Sequence, residues 1–182
     1  GIEIVATQRV SGAESAATAV ENIIIANPDI DGIWTVWAVP GMAAVGVIEN
    51  LGKDIKVATV DLSEDTAYSI ASGGAMLATG AQHPFDQGVA EAMIGVAALA
   101  GKETPPYVLV PGEKVTRETM RESWKRVYKT DVPKEIDQAL NTESGVLGIS
   151  GISNDFRDIG EKADLGDERA QLAIDIFCRR VK

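Results

Sequence analysis

Cysteine and histidine are almost absent. Cys178 and His83 are the only ones among 182 residues. One cysteine excludes an internal disulfide and a multi-cysteine metal cluster. One histidine argues against a histidine-rich metal site or a metalloprotease. Basic residues are in deficit, 17 against 27 acidic ones, for a net charge of −10. That balance argues against a surface for nucleic acid or anionic membrane. No apolar run is long enough to span a bilayer, and the chain holds no internal repeat or low-complexity tract. It has no initiator Met and no signal peptide, and begins at Gly1 directly in a strand-like run. The absent leader therefore carries no information about compartment.

What is present is alternation. Hydrophobic residues make up 45% of the chain, enough for one domain, or one domain with an attachment. Apolar runs at Ile2–Ala6, Ile33–Trp37, Lys56–Val60, Ala75–Ala81 and Tyr107–Val110 read as strands. Stretches with helical periodicity separate them. Ser11 heads a helix whose face is Ala16, Ala17, Val20, Ile23 and Ile24. Pro40 opens a second, with Ala43, Ala44, Val47, Ile48 and Leu51. Ser63 caps a third, which the glycines Gly73 and Gly74 end. Phe85–Ala100 is a fourth, lined by Ala90, Met93, Ile94 and Ala97, and Thr116 caps a fifth to Tyr128. The β-α alternation predicts an α/β fold with a mostly parallel sheet and flanking helices. Beyond Pro133 the pattern changes. Glu135–Leu140 is a short helix, Asn141–Gly151 is rich in glycine and serine, and Asn154–Asp158 is a compact charged group. Asp167 caps a last helix, to about Val181, with Leu172, Ala173, Ile176 and Phe177 on one face. This is a helical C-terminal attachment.

Ligands of parallel sheets bind outside the carboxyl ends of the strands. Asp61 and Gln82 stand at two such ends, Gln8 and Arg9 at a third, and Trp37 closes the strand from Ile33. Strand periodicity separates Trp34 from Trp37 and makes Trp34 a core or interface residue. Each position has a plainer reading: Asp61 as a helix cap, Gln82 as a partner for backbone groups, Trp37 as core. His83 reads as a hinge residue.

Two resemblances follow. ANPDIDGIWTVWAVPGMAAVGVIENLGK (Ala26–Lys53), KVATVDLSED (Lys56–Asp65), Gly73-Gly74, ATGAQHPFDQGVAEA (Ala78–Ala92) and VTRETM (Val115–Met120) stand in this order and spacing. With them, residues 1–138 resemble the C-terminal half of sugar-binding periplasmic binding proteins of ABC transporters, the type I fold shared with LacI-type regulators. The run LNTESGVLGISGISNDFRDIGEKADLGDERAQLAIDIFCRRVK (Leu140–Lys182) makes residues 139–182 resemble a segment of acetate kinase. EIDQAL (Glu135–Leu140) fits either family and marks the junction of a chimera or fragment.

The first resemblance implies one lobe of a two-lobed binder of a small sugar, without catalysis or cofactor, in the periplasm or outside the cell. Its partners would be a monosaccharide and a transporter permease. Asp61 would accept sugar hydroxyl hydrogens, Gln82 would be a hinge-side amide and Trp37 a stacking ring. Gln8 and Arg9 are weaker candidates. Ala38-Val39 stand where the family often has Asp or Asn, so the hydrogen-bonding set is reduced. The helix from Phe85 would pack in the missing lobe, and half a cleft implies poor affinity. The second resemblance implies a nucleotide site at Asp155, Phe156 and Arg157, with ATP and Mg, in the cytoplasm. The plainer reading there is a solvated charged turn before a helix. Asn141–Gly151 lacks the lysine and the GK[ST] ending of a phosphate loop. No base, nucleophile or metal cluster emerges for catalysis. A LacI-type effector domain is a further alternative.

Overall fold

The computed structural model describes residues 1–142 and 146–180. Its sheet has four strands in the order β1 (Gly32–Trp34), β2 (Lys56–Val60), β3 (Met76–Ala81) and β4 (Glu113–Thr116). β1, β2 and β3 are parallel, and β4 runs antiparallel to β3. Helix α1 (Ala13–Ala26) precedes β1. Helices α2 (Ala38–Asn50) and α3 (Glu64–Ser72) make the two crossovers, and α4 (Pro84–Leu99) leads away from β3. After β4 come α5 (Met120–Tyr128), α6 (Lys134–Thr142), α7 (Val146–Ser150), α8 (Phe156–Asp164) and α9 (Glu168–Arg180). The α/β class and the mostly parallel sheet agree with the sequence reading.

Neighbouring parallel strands joined in sequence require crossovers of one hand, which puts α2 and α3 on one face of the sheet. That face is the core. Ile33 packs against it, and Val57, Thr59, Thr79, Ala81 and Val115 are buried. Ala44, Val45 and Ile48 of α2, Ala67, Ile70 and Ala71 of α3, and Met120, Trp124 and Val127 of α5 fill the same cluster. Register places Trp34, Ala58 and Ala78 together on the other face, followed by Val60, Gly80 and Lys114. This second face is half-open, and Trp34 is exposed on it. Of the two readings expected for Trp34, core or interface, its exposure excludes the core: α2 and α3 lie on the opposite face.

Two expected strands are not strands. Ile2–Ala6 forms no strand, with Ile2 98% and Ile4 80% exposed. Tyr107–Val110 is likewise irregular, with Tyr107 and Leu109 exposed. Tyr107–Val110 is apolar at every position, a pattern that needs cover on both faces, whereas Ile2–Ala6 is interrupted by Glu3. The strand forms instead at Glu113–Thr116, where Val115 points inward between polar neighbours. Gly112 prepares this turn, because a Cβ there would stand 2.8 Å from the Ala81 carbonyl oxygen. Thr116 is consequently the last residue of β4, and Thr119 precedes α5. At α1 the cap is also displaced: Gly12 precedes the helix, and the Ser15 hydroxyl accepts the Ser11 and Gly12 N–H groups.

The attachment is helical, as expected, and includes α8, which sequence pattern did not show. Ile159, Ala170 and Ala173 form a separate small core for α7, α8 and α9. Asp167 caps α9 through the Ala170 N–H at 2.9 Å. The expected end of that helix at Val181 lies outside the described residues. Helix α6 does not join this group. Its Ile136, Ala139 and Leu140 belong to the main core, and Arg121 holds Asp137 at 2.6 Å and Asn141 at 2.7 Å.

Candidate ligand site at the strand ends

β2 ends in register with β3, Val60 opposite Gly80, and Asp61 follows immediately. The Asp61 N–H donates to the Gly80 carbonyl at 2.9 Å. Its φ is 77°, in the left-handed region, which costs an L-residue on the order of 1 kcal/mol. Several groups hold it there. Thr79 Oγ1 donates to the Asp61 carbonyl at 2.9 Å and Thr66 Oγ1 at 3.3 Å. Thr66 is fixed in turn by Ser63, the cap of α3, whose hydroxyl accepts the Thr66 N–H at 3.2 Å. Tyr128 Oη, from α5, donates to the next carbonyl, that of Leu62. Burial, and then the carboxylates of Asp61 and Glu64, push the Tyr128 phenol above its ordinary value.

With the backbone turned this way, the Asp61 carboxylate meets the next strand end. Gln82 Nε2 donates to Asp61 Oδ1 at 2.6 Å, and both groups are exposed to solvent. One strand over, Trp37 precedes α2 in an extended conformation. Thr59 Oγ1 donates to its carbonyl at 2.8 Å, and Thr35 Oγ1 donates to Thr59 Oγ1 at 2.7 Å. Asp61 and Gln82 directly follow β2 and β3, whereas β1 ends at Trp34, short of the expected strand end, and the half-buried Trp37 follows three residues later as the residue before α2. The paired acid and amide leave free lone pairs and N–H groups for hydroxyls.

Gln8 and Arg9 are not part of this group. They lie in the segment before α1 and border a cleft along that helix, which neither Trp37, Asp61 nor Gln82 lines. His83 precedes α4, with Nδ1 3.5 Å from Asp86 Oδ2. Lys129 binds Asp86 at 3.0 Å and lies over the Phe85 ring, 5.6 Å from its centroid. This fixes the first turn of α4 beside the site.

Sequence reasoning missed the supporting groups. Thr59 and Thr79 are paired threonines inside small apolar strands, and their alternation was the available signal. Tyr128 gave none, since its target lies 66 residues away.

The second candidate set is engaged with itself. Asp155 caps α8, accepting the Arg157 N–H at 2.8 Å. Both of its oxygens also accept from the Arg157 guanidinium. That guanidinium holds the Asp155 carboxyl below its usual range, and the carboxylate raises Arg157 in return. Phe156 packs on Phe177 with ring centroids 4.6 Å apart. Both oxygens of Asp155 are thus engaged by Arg157 in an exposed ion pair. Among the described residues, no three His, Cys, Asp or Glu side chains converge as a metal site.

Comparison with known proteins agrees with both halves. The periplasmic binding protein domain model matches residues 1–103, more than half of the chain, and the chain belongs to that family. The acetokinase family model matches residues 126–182, a stretch that includes α6.

Among solved structures, an ABC transporter periplasmic solute-binding protein from Actinobacillus succinogenes with bound D-allose is 26% identical, with TM-score 0.62 over 66% of this chain and 43% of that one. One from Agrobacterium vitis, bound with α-D-tagatopyranose, is 21% identical, with TM-score 0.65 over 74% and 45%, and shows the fold alone. The acetate kinase of Dictyoglomus thermophilum is 60% identical over 50 residues, 28% of this chain and 12% of that enzyme. That of Methanosarcina acetivorans is 34% identical over 139 residues, 76% and 29%. The chain therefore spans about an eighth of the first kinase and under half of each binding protein.

Proposed function

We propose that this chain binds a small sugar, without catalysis and without a cofactor, at the carboxyl ends of β1, β2 and β3. The observation that carries the reading is the hydrogen-bonded pair of Asp61 and Gln82 on neighbouring strand ends. Asp61 accepts from sugar hydroxyls, Gln82 donates and accepts beside it, and Trp37 offers a ring face for the apolar side of a pyranose. The D-allose bound by the relative from Actinobacillus succinogenes supports the ligand class. The parent role would be solute capture for an ABC transporter, with a permease as partner, in the periplasm or outside the cell.

Isothermal titration with aldohexoses and ketohexoses tests this. Saturable heat with one sugar, abolished in Asp61→Ala and reduced in Gln82→Ala, supports the reading. Equal binding by wild type and Asp61→Ala contradicts it.

A further inference from the structure

The last turn of α5 touches both sides of the candidate site. Among the described residues, the non-glycine positions with positive φ are Asp61 and Lys129, at 77° and 58°. They are joined through Tyr128, whose Oη donates to the carbonyl of Leu62, the residue after Asp61. Lys129 ends α5 in the left-handed conformation, and its N–H donates to the Lys125 carbonyl at 2.9 Å. Glycine is the ordinary occupant of such a helix end, because it takes positive φ without strain. A lysine there points to a role for its side chain.

That side chain reaches α4. Nζ lies 3.0 Å from Asp86 Oδ1 and 3.2 Å from Oδ2, over the Phe85 ring. Asp86 is in the first turn of α4, and His83, Pro84 and Phe85 separate it from Gln82. This link is stiff. Pro84 has a fixed φ, the Gln87 N–H donates to the His83 carbonyl at 2.9 Å, and His83 Nδ1 stands 3.5 Å from Asp86 Oδ2. A shift of Asp86 is therefore passed on to Gln82. The contacts close a ring: Gln82 to Asp61, Leu62 to Tyr128, Lys129 to Asp86, and along the chain back to Gln82.

We propose that Lys129 is a positioning residue for the sugar site. It holds the first turn of α4 to α5, and so keeps the Gln82 carboxamide on the Asp61 carboxylate in the arrangement that a ligand meets. This rests on the sugar-binding reading of Asp61 and Gln82. Energetics separate the role from a stabilising one. The Lys129 and Asp86 side chains are 42% and 43% exposed, and ion pairs so open to solvent add little to stability. Glycine at position 129 removes the clasp and relaxes the backbone together. Folding stability should hold or rise while binding weakens.

The test is Lys129→Gly in the full chain, read by ¹⁵N NMR of the Gln82 side-chain carboxamide without ligand, by chemical denaturation, and by titration with the aldohexoses and ketohexoses. The Gln82 carboxamide resonances should move toward those of Asp61→Ala, with the denaturation midpoint unchanged or higher. Sugar binding should weaken about two- to tenfold, the effect of one side chain that has to be re-ordered on binding. Lys129→Arg, which keeps the cation, should restore the wild-type resonances. Asp86→Asn, which breaks the clasp from α4 and leaves the end of α5 intact, should move the same resonances. Unmoved Gln82 resonances in Lys129→Gly overturn the proposal. So does a lowered midpoint with shifts spread through the sheet, because Lys129 is then a structural residue. A wild type that binds no sugar defeats the sugar-binding reading instead, and the Gln82 resonances still decide whether Lys129 holds the carboxamide.

Discussion

Asp61 is the residue on which the site turns, and its backbone conformation is held from three directions: the neighbouring strand, α3 and α5. Tyr128→Phe keeps the ring against Trp124, 4.4 Å away, and removes only the donor to Leu62. A loss of about 1 kcal/mol in chemical denaturation is expected, with weaker sugar binding as Asp61 is released. The phenol also predicts a pH effect. Its folded pKa lies above the unfolded value of 10.0, so the neutral form is favoured in the native state. That stability is complete below pH 10 and is lost as pH rises through the higher folded value. Thermal melts between neutral and strongly alkaline pH should show a shallower alkaline decline in Tyr128→Phe, and identical declines would refute the linkage. Asp61 and Gln82 were legible as strand-end residues because the βαβ pattern fixes where strands stop. The left-handed turn at Asp61 was not, since aspartate has no intrinsic need for it.

Elements bearing clean periodicity were read correctly, and those whose fate depends on cover were not. α1, α2 and α3 follow their apolar spacing, whereas α4 buries none of its residues and Met93, expected on its packed face, is 69% exposed. YVLV has strand composition but lacks a second covered face, and it stays unpaired, as does IEIVA, which Glu3 interrupts. EKVT, less apolar but alternating, pairs instead. The approach of α2 to the sheet rests on Gly41. A Cβ there would stand 2.9 Å from both Thr35 Oγ1 and Thr59 Oγ1, the hydroxyls that hold the Trp37 carbonyl. Gly41→Ala should therefore destabilise the fold by about 1–3 kcal/mol and shift the Trp37 indole resonance. An unchanged melting temperature would mean that the helix can retreat at no cost.

Among the described residues the molecule has two cores of unequal size. The main cluster reaches from α1 to α6, and the second rests on Ile159, Ala170 and Ala173. Hydrogen exchange should find β2 and β3 protected to the global limit and α8 and α9 opening at lower free energy. Equal protection throughout would mean one cooperative unit. That two family patterns meet in one chain was legible in the sequence. That α6 belongs to the main core was not legible, because Ile136 and Leu140 acquire their meaning only against α3 and α5. The central claim, that a sugar is held at the strand ends, is tested most directly by ¹⁵N-resolved NMR titration with a monosaccharide panel. Saturable shifts concentrated at Asp61, the Gln82 carboxamide and the Trp37 indole are predicted. Shifts absent there for every sugar, or confined to Asp155–Arg157 when magnesium ATP is added, would contradict it.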